Sequence, residues 1–108
     1  REKHATDAER SSIKYKQVEY MSSHVGEIFE GIISGVTEWG LYVEEKETKC
    51  EGMVKLRDLE GDIFIFDEKH MAIVGTKTKK RYRIGNSIKI KVVNANLEKK
   101  IIDYALVA

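Results

Sequence analysis

The chain has 108 residues, 42% of them hydrophobic and 34% charged, which suits one domain with a modest core and excludes wholesale disorder. It contains no apolar run of the roughly 18 residues that a membrane-spanning helix needs, and its lone Cys50 excludes an internal disulfide, fitting a reducing, cytoplasmic setting. The formal net charge of +1 would argue against a polyanionic partner, but residues 1–37 carry 5 basic and 6 acidic side chains, residues 38–68 carry 4 and 10, and residues 69–108 carry 10 and 2. Such polarity can aim one basic face at phosphates, or can leave two solvated faces of opposite sign.

The polar start Arg1-Glu2-Lys3-His4 precedes no apolar segment of the secretory kind. A helix is expected over Thr6–Ser22, opened by the capping-box pattern Thr6-Asp7-Ala8-Glu9. Ile13, Gln17, Tyr20 and Met21 share a face at 3.6-residue spacing, with Tyr15 and Val18 off it. That stripe is too narrow for a helix standing alone, so it is expected to dock on the rest of the chain or on a neighbouring domain. From Val25 the pattern turns to β. Ile28, Phe29, Ile32, Ile33 and Val36 define a long first strand interrupted by Gly31 and Gly35, as bulges and coiling require. Trp39–Glu45 is expected as the second strand and Glu51–Lys55 as the third, followed by a helical turn at Leu56–Leu59. Asp62–Phe66 and Met71–Val74 bracket Asp67–His70 as an accessory hairpin. Ile88, Ile90 and Val92 alternate with lysines, and Ile101, Ile102, Tyr104 and Leu106 mark the last strand. Five principal strands with a short helix between the third and fourth match an all-β, five-stranded Greek-key OB barrel. The expected division is a connector helix in residues 1–24 and the barrel in residues 25–108.

Two large aromatics, Trp39 and Tyr42, flank Gly40 within this β-rich run. Aromatics on a strand surface stack unpaired bases, because every base offers a π-face. Three residues apart, they would fall on opposite faces of a regular strand; a bulge at Gly40 would bring both outward, the alternative being that one is core. Phe29 is either barrel core or a further base platform. Residues Thr76–Lys91 carry seven Lys or Arg and no acidic residue. Lys55, Arg57, Lys89, Lys91, Lys99 and Lys100 are candidate phosphate contacts, with ordinary surface charge as the alternative. The expected partner is single-stranded RNA, with no membrane.

Val25-Gly26-Glu27-Ile28-Phe29-Glu30-Gly31, then Trp39-Gly40-Leu41-Tyr42-Val43, then Glu51-Gly52-Met53-Val54 resembles, in order and spacing, the RNA-binding domain named after ribosomal protein S-one. Trp39 stands where that family more commonly has Phe, and Lys55-Leu56-Arg57 replaces a frequent His-x-Ser, which favours phosphate contact over stacking there. Ala8-Glu9-Arg10, Lys16-Gln17-Val18-Glu19-Tyr20-Met21, Ile33-Ser34-Gly35-Val36-Thr37 and Ile102-Asp103-Tyr104 resemble the C-terminal region of the bacterial ribonuclease R family. The Asp62–Lys80 insertion suits that family as well. The resemblance implies the RNA-gripping end of a processive, Mg²⁺-dependent 3′-to-5′ exoribonuclease, the N-terminal helix closing a catalytic domain that lies outside these residues.

Catalysis and cofactors within the chain itself are not expected. His4, His24 and His70 share no ligand spacing, Cys50 has no partner cysteine for zinc, and Glu44-Glu45 are splayed by strand geometry. Ser34-Gly35 makes no nucleophile elbow. Two other readings stand beside this one. One is a similar module from a ribosomal, transcription or polynucleotide phosphorylase-like protein; the other is an OB barrel that docks protein rather than RNA.

Overall fold

The computed structural model describes residues 13–107; the pattern at Thr6–Glu9, the triplet Ala8-Glu9-Arg10 and His4 lie outside them. Helix α1 covers residues 13–22. Eight strands follow: β1 (Ile28–Thr37), β2 (Gly40–Glu45), β3 (Glu51–Lys55), β4 (Phe64–Asp67), β5 (Ala72–Gly75), β6 (Arg81–Arg83), β7 (Ser87–Asn96) and β8 (Ile101–Val107), with a 3-10 turn at Leu56–Asp58 after β3. Strands β1-β2-β3-β8-β7 close a barrel, and β4-β5-β6 form a separate three-stranded sheet. The all-β, five-stranded barrel expected from the sequence is thus the fold. The accessory element is larger than the expected hairpin: Arg81-Tyr82-Arg83 adds a third strand, too short and too charged for its single apolar residue to show alternation.

Alternation places the core. In β1 Gly31 and Ile33 point inward, in β2 Leu41 and Val43, in β3 Gly52 and Val54, in β7 Ile90 and Val92, and in β8 Ile102 and Tyr104. All neighbouring barrel strands are antiparallel except β3 and β8, which run parallel with Met53 beside Asp103. Gly52 is required at this seam, since a Cβ would stand 2.6 Å from the Tyr104 ring. The Tyr104 hydroxyl donates to the Cys50 carbonyl at 2.8 Å, and burial pushes its pKa well above the ordinary phenol range, so it stays protonated.

Helix α1 docks on the barrel, one of the two docking places expected, but through a different stripe. Val18 and Met21 are fully buried in the barrel core, whereas Ile13 and Tyr20 are exposed. The helix is rotated so that Lys14, Gln17, Val18 and Met21 face inward; Lys14 Nζ reaches the Glu51 carbonyl at 3.2 Å, and the Cys50 thiol faces the Gln17 carbonyl at 3.7 Å. Both stripes, Ile13/Gln17/Tyr20/Met21 and Lys14/Gln17/Val18/Met21, suit the 3.6-residue helical period, and only the position of the barrel end selects between them. The Ser22 and Ser23 hydroxyls turn back onto the Glu19 and Tyr20 carbonyls and end the helix. The Gly26 N–H then donates to Val92, and Val92 in turn to Glu27, which joins the chain to β7.

Glu45 is the one charged side chain buried among the described residues. Burial alone would push its carboxyl up, but the Glu47 and Thr48 N–H groups and the Thr48 hydroxyl, at 2.7 to 3.0 Å, outweigh it and hold the carboxyl below its ordinary 4.5. These bonds shape the β2–β3 loop against α1. A carboxylate with a depressed folded pKa contributes stability above its unfolded pKa, and loses it as pH falls through the folded value. Stability is therefore expected to decline on acidification below about pH 4.5. Glu45→Gln, which cannot accept all three bonds, should cost about 1.5–3 kcal/mol at neutral pH and flatten that acid limb, as measured by urea denaturation across pH.

Candidate nucleic-acid interface

Glu38 and Trp39 join β1 to β2, and the turn is braced through its backbone. The Thr37 hydroxyl accepts from the Trp39 N–H at 3.2 Å, and the Trp39 carbonyl accepts from the Leu56 N–H at 2.9 Å. Gly40 adopts a φ of 149° and sits so close to β3 that a Cβ would collide with the Val54 carbonyl. The indole takes no part in this bracing and is 69% exposed. Trp39 thus lies in the turn rather than on the second strand as expected, so strand parity does not constrain it. The expected bulge at Gly40 is also displaced: the β1–β2 register shifts between Ile33 and Gly35.

Tyr42 lies on the outer face of β2, paired with Gly35 on one side and Met53 on the other. Its ring crosses the space a Gly35 side chain would take, 3.4 Å from that Cβ position, and is half-buried. Met53 and Lys55 continue this outward row, because Gly52 and Val54 between them point inward. A groove of ≈ 680 Å³ opens beside them, with Trp39, Met53, Lys55 and Arg57 on its barrel side and Ile63 and Phe64 opposite. Among the described residues neither Lys55 nor Arg57 enters an ion pair; the pairs are His24–Glu27, Lys46–Glu30 and His70–Asp67. A second hollow of ≈ 460 Å³ on the far side of Lys55 and Arg57 is walled by Asp58, Glu60 and Asp103. Three carboxylates oppose phosphate there, against Glu38 and the Asp62 carboxylate, the latter held by backbone donors, in the first groove, so the first groove is the better path for a polyanion.

The structure therefore gathers Trp39, Tyr42, Lys55 and Arg57 on one side of the barrel. Lys89 and Lys91 stand exposed on β7, beside Val107 and Ala105 of β8, two strands or about 10 Å from β3. Lys99 and Lys100 occupy the β7–β8 turn, which the parallel register sets beside the start of β3, about 17 Å from its end. Phe29 shares the inward parity of Gly31 and Ile33, packs on the core and meets the His24 ring edge-on at 5.9 Å. It takes the core alternative and stands apart from the groove. Met53, Ile63 and Phe64 were not singled out by sequence reasoning. Met53 was within reach of it, by its alternation with Gly52 and Val54; the other two needed the placement of the accessory sheet.

Residues 23–105 match the S1 RNA binding domain. The chain belongs to this family. Among its relatives, ribonuclease R 1 of Lactococcus lactis subsp. lactis is 43% identical over 104 residues, covering 96% of this chain and 13% of that protein. Ribonuclease R of Aquifex aeolicus is 36% identical over 106 residues, 98% of this chain and 15% of that protein. The apo form of Mycoplasma genitalium RNase R superposes with a TM-score of 0.87 at 28% identity over 94% of this chain and 16% of that one. The same values hold for that enzyme in complex with ribose methylated single-stranded RNA. This S1 domain is thus like that of ribonuclease R, and spans about an eighth to a sixth of these relatives' length.

Because the Trp39 side chain of the S1 domain is exposed, Trp39→Ala is expected to change stability by less than about 0.5 kcal/mol. Gly40→Ala, which forces a side chain against the Val54 carbonyl, should cost about 2 kcal/mol. Paired urea unfolding curves check both.

Proposed function

We propose that this S1 domain holds single-stranded RNA against the Tyr42–Met53–Trp39 side of the barrel, on behalf of a 3′-to-5′ exoribonuclease in a longer protein. The observation that carries the reading is the pairing of a free, backbone-braced indole with two unpaired cations around one groove. Bases stack on Trp39 and Tyr42, and Lys55 and Arg57 meet the phosphates. Lys89 and Lys91 add a second basic track two strands away, and Lys99 and Lys100 a more distant one. The ribonuclease R relatives, and the RNA-bound member among the solved structures, support the assignment of substrate and parent.

Any Mg²⁺ of such a parent would be held elsewhere. Two-metal hydrolysis needs several carboxylates converging on ions about 3.5–4 Å apart, and among the described residues no three His, Cys, Asp or Glu side chains could hold an ion. The residues present do not fit that metal, and the domain's contribution is to bind and orient. With α1 packed on the barrel, the catalytic part would be joined through a firmly seated helix in the cytoplasmic enzyme.

Trp39→Ala and Tyr42→Ala should each weaken binding of an unstructured oligoribonucleotide about tenfold, since a stacked base contributes about 1–3 kcal/mol. Unchanged Kd in both folded variants would remove the platform. If about three cations engage, log affinity should fall with log salt at a slope near −2; a slope near zero would indicate a protein partner instead. The purified chain supplied with Mg²⁺ should release no nucleotides from a 3′ end.

A further inference from the structure

One wall of the groove belongs to the barrel. The other is Ile63 and Phe64, at the start of an accessory sheet that the barrel does not need in order to close. That sheet is held firmly in place: Ile73 and Tyr82 are buried in the same core as Leu59, Phe64 and Tyr82 rings meet at 5.8 Å, and Gly85 and Asn86 exchange backbone hydrogen bonds with Ile33 of β1.

Asp62 governs what stands at the groove's mouth. Its carboxylate accepts from the N–H groups of Ile63, Lys77 and Thr78 at 2.6, 3.0 and 2.7 Å, and from the Thr78 hydroxyl at 2.8 Å. The Thr76 N–H adds a bond to the Ile63 carbonyl at 2.9 Å. The β5–β6 turn is thereby folded onto the wall that carries Ile63. Donors saturate the Asp62 carboxylate, so it competes little for other cations in the groove. Lys77, Lys79 and Lys80 on this turn are exposed, and among the described residues none of the three enters an ion pair. The groove's lining combines apolar side chains, with Ile63 67% and Trp39 69% exposed, with Lys55 and Arg57 and with the carboxylates of Glu38 and Asp62, and the lysine-bearing turn is tied through its backbone to Asp62 in that lining. Flat bases on a polyanionic backbone match that layout, and the groove is continuous with the barrel face already described.

We propose that the accessory sheet is the second jaw of the RNA interface: a base enters between Trp39 and Ile63, and the strand's phosphates pass from Lys55 and Arg57 to the Thr76–Lys80 turn. This rests on the RNA reading above and extends it to a part of the chain outside the barrel.

The test titrates the 108-residue chain with oligouridylates of increasing length, reading the fluorescence of Trp39, its single tryptophan. The variant Lys77→Gln/Lys79→Gln/Lys80→Gln is compared with Lys16→Gln/Lys46→Gln/Lys49→Gln, an equal charge change placed away from the groove. The first is expected to bind at least tenfold more weakly, to reach its affinity plateau at a shorter oligonucleotide, and to make the salt slope shallower by about 0.7 for each of these lysines that meets a phosphate, without abolishing it; the second should stay near wild type. Ile63→Ala should weaken binding several-fold without altering the salt slope. Wild-type affinity in the first lysine variant, or an equal loss in both, overturns the second jaw while leaving the barrel reading in place. Absence of any Trp39 response in the wild-type chain overturns both.

Discussion

The parallel pairing of β3 with β8 is the contact on which the rest of this structure depends. Every other barrel pairing is antiparallel, and three of them join strands consecutive in the chain; this one, like β1 with β7, joins distant strands, some fifty residues apart, as Met53 and Asp103 illustrate. Without it β3 and β8 would be open edges, and the inward faces of both halves would meet water. The seam is secured by side-chain chemistry as well as by its ladder. Tyr104 fills the space that Gly52 leaves empty and carries its hydroxyl to the Cys50 carbonyl. Closure also sets Lys55 near the β7 lysines, whose positions in sequence give no hint of proximity.

From that frame the interface divides its tasks. Backbone groups fix geometry: Thr37 and Leu56 grip the peptide units of Trp39, and Asp62 grips the β5–β6 turn. Side chains freed of structural duty are then available to a ligand, and ordering cost is met during folding rather than on binding. Charge follows the same division. Glu45 and Asp62 are held ionised by backbone donors, and their oxygens are engaged in shaping loops rather than left to meet a ligand. Asp58, Glu60 and Asp103 remain uncommitted to such a network and make the neighbouring hollow unwelcoming to phosphate.

Much of this could be read from residue order alone. Period-two alternation in Ile88–Val92 marks that strand, and the glycine-spaced motifs indicate the family and its barrel. Three features escaped for physical reasons. The buried stripe of α1 depends on where the barrel end lies, and 3.6-residue spacing admits both Tyr20 and Val18. Trp39 falls in a turn because its backbone is anchored to Leu56, a contact between residues that local pattern cannot connect. The far wall of the groove comes from a sheet whose third strand has one apolar residue, so neither its existence nor its placement was written in periodicity.

Cys50 lies almost wholly buried beneath α1, with its thiol against the Gln17 carbonyl and burial pushing the thiol up. A thiolate is the reactive form, so an alkylating reagent reaches this sulfur only when the helix lifts or the whole barrel opens. Those two events expose different amounts of surface and respond differently to denaturant. The rate of modification at Cys50 is consequently a built-in clock for the seating of α1. It separates local detachment of the helix from global unfolding without any label having to be introduced.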